Sequence, residues 1–428
     1  MPILVSNVVG GRASAHVGSV GGVGLVVQKF GGTSVADAER MRAVADHVAL
    51  TRKRGDQVVL VVSAMGKETD DLLRLASEVG GGDRAGREMD MLITAGERKA
   101  TALMCLSFLE DAVPAESYTG SQAGFITDTT HTNAKILEIR PDRLRKALES
   151  DVVPVVGGAQ GVSTDHDVTF LGRGGSDTTA VALAQALGAD ACELYTDVSG
   201  VFTADPRLVS SAHRIDHISF DEMLEMCASG CPKPAMRSVE FARTHGVRLH
   251  VRSAFTWEPG TWITEEDPME QAIVSGVVDD DSEAKLTVSG VPDRPGIAAR
   301  LFRTLADADI NVDMIVQNVS DAGVTDISFT LPRADLAEGQ RIAEEIAAEI
   351  GAAGVVPDTQ IGRVSLVGAG MKSNPGVAAT MFEVLAAEGV NIEMISTSAI
   401  RISCVVPEDD LERAVVALHA AFDLAATG

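Results

Sequence analysis

Leu171 to Phe202 reads LGRGGSDTTAVALAQALGADACELYTDVSGVF, and the order of its parts decides the fold. A glycine-rich loop, Leu171-Gly-Arg-Gly-Gly-Ser-Asp177, opens an alanine-rich helix (TTAVALAQALG). A short strand follows (CELYTDV), and the loop Thr196-Asp-Val-Ser-Gly-Val-Phe-Thr-Ala-Asp-Pro-Arg207 leaves its carboxyl end. Loop, helix, buried strand and loop form the unit of an open parallel sheet, which binds ligands beyond the carboxyl ends of its strands. Outward from it, LVVQKF, VVLVVSA, VVPVVGGAQ and VRLHVRS read as strands, while 35–52 (VADAERMRAVADHVALTR) and DDLLRLASEV read as helices. Strands that are continuous apolar runs are covered on both faces. The spacing predicts an α/β domain with a mainly parallel sheet over 25–264. A flexible N-terminal extension is expected over 1–24, and the acidic stretch TEEDPME marks a linker over 265–284.

The chain has 428 residues, room for two or three domains at roughly 150 residues each. Its 61 acidic and 36 basic residues leave a formal charge of -25. A surface so acidic repels phosphate backbones, which argues against nucleic acid as a partner and requires a locally basic pocket for any anionic ligand. The five cysteines, at 105, 192, 227, 231 and 404, form no disulfide framework and fit a reducing, cytoplasmic setting. Cys227 and Cys231 lie one helical turn apart, but no second Cys or His pair completes a zinc site. They read as core fillers, and no resident metal is expected. No apolar run reaches the roughly 18 residues of a spanning helix, so no membrane association is expected, and the first residues lack the pattern of a signal peptide.

Beyond the linker the sequence repeats itself. Gly290-Val-Pro-Asp-Arg-Pro-Gly296 returns 80 positions later as Gly370-Met-Lys-Ser-Asn-Pro-Gly376, and Ile310-Asn-Val-Asp-Met314 as Val390-Asn-Ile-Glu-Met394. An amphipathic helix fills each interval (IAARLFRTLADAD and VAATMFEVLAAEG). Strand, Pro-Gly turn, helix and strand make half of a ferredoxin-like unit, so two small α+β modules are expected over 285–360 and 361–428.

Four segments carry candidate chemistry. Lys29-Phe-Gly-Gly-Thr-Ser34 follows the first strand; two glycines let backbone approach an anion, a helix start offers free N–H groups, and the lysine adds a point charge. A plain strand-to-helix turn is the alternative. In the second glycine loop Arg173 suits a carboxylate or phosphate, whereas Asp177 is equally a helix cap. Thr196, Asp197 and Arg207 sit at a strand's carboxyl end and suit a nucleotide, or simply form a surface loop. Thr94-Ala-Gly-Glu97 places a carboxylate at a tight turn, either as a site for an ammonium group or as a solvated helix start. The histidines assemble into no nucleophilic triad.

Taken in this order, Lys-Phe-Gly-Gly-Thr-Ser, Thr-Ala-Gly-Glu, Gly-Arg-Gly-Gly-Ser-Asp, Thr-Asp-Val-Ser-Gly-Val-Phe-Thr and Ala-Asp-Pro-Arg resemble aspartate kinases of the amino-acid-kinase superfamily. The likeness spans about Leu25 to Phe422, and the two repeats resemble ACT domains. With no dehydrogenase half in the sequence given, the resemblance is to the monofunctional type. It implies the family's three-layer sandwich followed by two ferredoxin-like modules. The implied reaction moves the ATP γ-phosphoryl group to the β-carboxylate of L-aspartate, the first step toward lysine, threonine, methionine and diaminopimelate. It also implies Mg²⁺ arriving with ATP, lysine or threonine as effectors, and a homo-oligomer built through the ACT modules.

Residue by residue, the resemblance implies that Lys29 bridges the phosphates, Asp177 orients it, and Gly31, Gly32, Gly175 and Ser176 donate to the transferring group. Arg173 would pair with the aspartate α-carboxylate and Glu97 with its ammonium, with Ser63, Thr69 and Ser176 also on the substrate. Phe30, Thr196, Asp197, Phe202, Arg207, Pro232 and Lys233 would lie on the nucleotide side. Asp293, Gln317, Asn318, Ser373 and Asn374 would grip an effector. Three positions depart from the family. In Gly230-Cys-Pro-Lys-Pro-Ala-Met-Arg-Ser-Val239 proline occupies the usual lysine position and Lys233 comes one step late. Phe202 replaces a common tyrosine, and Ala399 a common glutamate. The first two predict weakened ATP binding or an altered nucleotide preference, the third relaxed feedback control.

Overall fold

The computed structural model describes residues 24–80, 86–110, 112–265, 273–318 and 323–425; the extension expected over 1–24 lies outside them except for Gly24. The first domain runs β1 (Leu25–Phe30), α1 (Ala38–Lys53), β2 (Gln57–Val62), α2 (Glu68–Glu78), α3 (Arg87–Ser107), β3 (Ala115–Tyr118), β4 (Phe125–Thr127), β5 (Ile136–Ile139), α4 (Asp142–Glu149), β6 (Val153–Gly157), β7 (Gln160–Ser163), β8 (Val168–Phe170), α5 (Gly175–Leu187), β9 (Ala191–Thr196), β10 (His217–Ser219), α6 (Phe220–Ala228), α7 (Met236–His245), β11 (Leu249–Ser253) and β12 (Thr261–Thr264). Eight strands form the main sheet in the order β10-β12-β11-β9-β1-β2-β6-β3. Every neighbouring pair is parallel except β11 with β12.

Alternation along β2 produces the layers. Val59 and Val61 point to a core shared with Leu144, Leu148, Leu183 and Val239 from α4, α5 and α7. Val58, Leu60 and Val62 point the opposite way, onto Met41, Val44 and Val48 of α1 and Met104 of α3. Successive side chains on a strand face opposite sides, so a strand apolar at every position needs helices on both faces. A smaller sheet, β5-β4-β7-β8, flanks the main one. Among the described residues no helix is long and apolar enough to cross a membrane.

The remainder comprises β13 (Gly276–Asp280), β14 (Glu283–Pro292), α8 (Ile297–Asp307), β15 (Ile315–Gln317), β16 (Val324–Pro332), α9 (Leu336–Ile350), β17 (Gly354–Asp358), β18 (Ile361–Val367), α10 (Val377–Ala387), β19 (Met394–Thr397), β20 (Arg401–Pro407) and α11 (Leu411–Ala421). The repeat positions are core positions. Ile310 and Val390 are buried in their own modules, while Met314 and Met394 meet Ile361 and Val405 between the modules. Gly296 and Gly376 precede the equivalent helices α8 and α10 with φ of 97° and 112°, a conformation that costs glycine little.

Part of the expected linker is not free chain. Sheet order β15-β16-β14-β17 in the first module matches β19-β20-β18-β13 in the second. β13 therefore takes the place of β17, pairing antiparallel with β18 from Gly276↔Val367 to Asp280↔Arg363. The second module takes its last strand from the segment preceding the first, which makes the first module an insertion within the second. Each module is a whole βαββαβ-type sheet rather than half of one.

Several contacts fasten these modules to the first domain. Ala204 and Val209 lie in the second module's core, and the Thr203 hydroxyl meets His419 Nε2 at 2.9 Å. The Glu222 carboxylate of α6 accepts the Ala369 N–H at 2.9 Å and the Ser275 hydroxyl at 2.6 Å. The fully buried Arg363 of β18 gives Nη2 to Asp280 and to the Ala228 carbonyl, both at 2.9 Å, and Nη1 to Glu283 and Asp313.

Candidate active site

β1, central in the main sheet, ends at Phe30, and the chain turns through Gly31 and Gly32 at the carboxyl edge. Gly32 passes so close to the loop after β2 that a Cβ would stand 2.8 Å from the carbonyl oxygens of Ala64 and Gly66. A bond from the Gly66 N–H to the Gly32 carbonyl, 2.9 Å, locks the two loops together. Lys29 projects from β1, and its ammonium lies 2.6 Å from Asp177 Oδ1, both side chains being nearly buried. Asp177 stands in the first turn of α5, but the helix is capped by Gly174 without a side-chain bond. Its second oxygen accepts the Ala235 N–H at 3.3 Å. Asp177 therefore serves the lysine and the approach to α7, and the helix-cap alternative fails. Gly174 has a φ of 72°, and a Cβ there would meet that of Ala235 at 2.5 Å, so glycine is required on both counts.

Two of the four expected donors are already engaged. The Gly31 N–H continues the ladder to the Tyr195 carbonyl at 3.3 Å, and the Gly175 N–H bonds the Gly172 carbonyl at 3.0 Å. The amides of Ser176 and Asp177, inside the first turn of α5, have no intrahelical acceptor and form the positive end of the helix dipole. Arg173 is exposed at the tip of the same loop.

Glu97 is neither at a turn nor at a helix start: it lies in the middle of α3 and is 3% exposed. The Thr-Ala-Gly sequence resembles a turn, yet Gly96 lies within α3, and the glycine is there for packing: a Cβ would press to 3.2 Å from that of Ala64. Burial pushes the Glu97 carboxyl up to about 8, against the opposing pull of the Ala64 N–H and the Lys29 ammonium. Its Oε2 has no partner among the described residues. Ser63 follows β2, its N–H on the Phe30 carbonyl at 3.1 Å, and Thr69 stands in the first turn of α2 beside Glu68, which pairs with Lys99 at 2.5 Å.

On the far side, Thr196 ends β9 and Asp197 follows it. The Lys233 ammonium reaches the Thr196 hydroxyl at 2.9 Å and Asp197 at 3.3 Å. Burial alone would raise the Asp197 carboxyl, but Lys233 and Thr196 outweigh it and hold it below the ordinary range. Pro232 is exposed; the late lysine still arrives at the strand end. Cys227 and Cys231 anchor that loop, their thiols on the carbonyls of Pro234 and Lys233 at 3.3 and 3.4 Å. Both also pack against the main core, as fillers do. Burial raises both thiols, which keeps them as S–H donors. Arg207 is not brought to this cluster: it folds back onto Asp205 at 2.9 Å, and its side chain is 86% exposed. Phe202 forms a bridge with Arg214, next to the segment packed on the second module.

In the first module, Asp293, Gln317 and Asn318 share one end of the sheet, since β14 and β15 both finish there against the start of β16. In the second, Ser373 and Asn374 follow β18, and Ala399 lies in the turn between β19 and β20. That turn touches α6: Ser398 donates to Glu225 at 3.0 Å, and Arg401 lies 3.4 Å from the same carboxylate.

Comparison with known proteins agrees with this fold. Residues 24–253 match the amino acid kinase family, and residues 286–351 and 364–422 each match the ACT domain. The chain is 54% identical over 409 residues to an aspartokinase of Mycolicibacterium smegmatis, covering 94% of this chain and 96% of that protein. Among solved structures it is similar to E. coli aspartokinase III in complex with aspartate and ADP (R-state), with a TM-score of 0.79 and 25% identity over 93% of this chain and 99% of that one. The same enzyme with lysine and aspartate (T-state) gives 0.73 and 26% over the same shares.

Proposed function

The chain belongs to the aspartokinases of the amino acid kinase family, and from that premise we infer that the Lys29–Asp177 site transfers the γ-phosphoryl group of ATP to the β-carboxylate of L-aspartate. The carboxylate is ionised at neutral pH and needs no general base. One of its oxygens bonds to the γ-phosphorus as the bridging P–O bond to ADP breaks, giving 4-phospho-L-aspartate and ADP. The work left to the protein is to hold two anions in line and offset their repulsion. Lys29 spans the phosphates, Asp177 fixes its ammonium, and the first amides of α5 face the transferring group. Thr196, Asp197 and Lys233 hold the nucleotide, with the glycines Gly31, Gly32 and Gly175 giving it close passage; Phe30, expected on the nucleotide side, is instead fully buried and stacked on Tyr195 in the core. Mg²⁺ accompanies ATP as a counter-ion of its phosphates. The observation that carries the reading is the 2.6 Å pair of Lys29 with Asp177, at the meeting point of two strand-to-helix loops.

Arg173 takes the α-carboxylate of aspartate, Glu97 its ammonium, and Ser63, Thr69 and Ser176 complete the pocket. This gives Glu97 a pH signature. Its carboxyl holds a proton below about 8 and must release it to face an ammonium. Affinity for aspartate is therefore lost as pH falls: KM should rise about tenfold per unit below roughly pH 7 and level off above pH 8. In Glu97→Gln, KM should be high and nearly flat over that range. A wild-type KM independent of pH from about 6 to 8 would remove Glu97 from the ammonium site.

Lysine or threonine acts at the ACT modules, and α6 conveys the effect, because Glu222 and Glu225 hold the second module while Ala228 leads into the Lys233 loop. Ala399, beside Ser398 in the turn that meets α6, relaxes that control. A second copy of the chain completes the module sheets at their edge strands β15 and β19, where Ile315 and Ile395 are half-exposed. Titrating both amino acids while following ADP formation and light-scattering mass tests these points together. A species heavier than one chain, inhibited only weakly, is expected; a monomer, or control as tight as in other aspartokinases, would overturn them.

A further inference from the structure

Seven residues before Glu97, two turns along the same face of α3, a second carboxylate is buried. Asp90 is 0% exposed. Its Oδ1 accepts the Thr132 N–H at 2.9 Å, and its Oδ2 lies 2.8 Å from His131 Nδ1. The segment they hold is strained: Thr132, a β-branched residue, has a φ of 62°. Such a conformation costs about 1–3 kcal/mol and persists only where its surroundings impose it.

The strained segment is the outer wall of the Arg173 loop. The Ala134 N–H bonds the Phe170 carbonyl at 2.9 Å. Arg237 ties the two stretches together, donating to the carbonyls of Leu171 at 2.6 Å and Ala134 at 2.8 Å. Gly172, with a φ of 86°, lies flush against the wall: a Cβ there would stand 2.9 Å from Asn133 Oδ1 and 3.2 Å from the Thr132 carbonyl. Arg173 is the next residue.

We propose that the Asp90–His131 pair is a positioning device for aspartate recognition, holding the Thr132–Asn133 wall so that Arg173 stands at a fixed span from Glu97. One helix then carries both references, Glu97 for the ammonium and Asp90, through the wall, for the α-carboxylate. The pair touches neither substrate nor nucleotide, and the inference rests on the reading of Arg173 given above.

The test compares L-aspartate with its α-amide, which keeps the β-carboxylate but lacks the α-charge, using ADP formation at saturating MgATP. The readout is the ratio of kcat/KM for the two compounds, together with KM for ATP. His131→Ala should lower the ratio about tenfold, the scale of one charge-assisted hydrogen bond, chiefly through KM for aspartate, with KM for ATP unchanged. His131→Asn, which keeps an N–H donor near the position of Nδ1, should restore the ratio, and Asp90→Asn should follow His131→Ala. Because the His131 ring is partly exposed, its variants decide the matter even if Asp90→Asn does not fold. Arg173→Ala is the control. If it lowers the ratio while His131→Ala leaves it unchanged, the positioning role is wrong and the site reading stands. If Arg173→Ala also leaves it unchanged, the Arg173 assignment fails and the inference falls with it.

Discussion

Lys29→Ala should lower kcat by about 10³-fold or more, equivalent to about 4 kcal/mol of transition-state stabilisation, while L-aspartate still binds. The ammonium is the one cation described within ion-pair distance of Asp177. It sits between two loops where the amides of Gly31 and Gly175 are committed to backbone carbonyls, and the free amides of Ser176 and Asp177 carry only partial charge in place of a full cation. Removing it takes away the charge that offsets two anions at contact. Arginine should not rescue the loss, since its planar fork differs in shape and reach from an ammonium, and the close packing of the glycine turns leaves no evident room for it. The check is kcat from ADP release, with aspartate binding by calorimetry and near-UV circular dichroism as the control for folding. A variant that keeps more than about a tenth of wild-type kcat would show that Lys29 is not the group facing the transferring phosphoryl.

Arg363→Ala should be the most destabilising single change in the regulatory half, by about 3–5 kcal/mol. The guanidinium is 2% exposed and joins Asp280 of β13, Glu283 of β14 and Asp313 before β15 to the carbonyl that ends α6. Truncation removes the cation that bridges three carboxylates and opens a void between the modules. Burial already pushes the Glu283 carboxyl above its ordinary range despite the arginine beside it. Thermal unfolding should show the ACT modules melting earlier. KM for ATP should also rise, because Ala228 leads into the loop that carries Lys233. An unchanged melting profile would mean that the cluster contributes nothing net.

The parts legible in the sequence are those governed by local chemistry. Apolar runs marked the strands, glycine-rich turns marked the strand-to-helix loops, and the repeat marked two modules, because Ile310, Met314, Val390 and Met394 are core positions in equivalent places. Long-range demands stayed hidden. Gly96 looks like a turn residue until α3 is seen pressed against Ala64. The acidic stretch after Thr264 looks like a tether, but Gly276–Asp280 pairs with a strand more than 80 residues later. Thr203 and Asp205 read as part of a nucleotide loop, and nothing near them announces that their neighbours Ala204 and Val209 fill the core of a distant module. Pro232 puts the lysine one step late in the sequence, yet the fold brings the Lys233 ammonium to Thr196 and Asp197.

The most direct test of phosphoryl transfer to aspartate is to incubate the full chain with MgATP and L-aspartate in the presence of hydroxylamine, which converts an acyl phosphate to a hydroxamate. Aspartate-dependent hydroxamate, formed in step with ADP by the wild type and lost in Lys29→Ala, is the expected result. ADP without hydroxamate, or hydroxamate at equal rate from Lys29→Ala, would contradict phosphoryl transfer at the Lys29–Asp177 site.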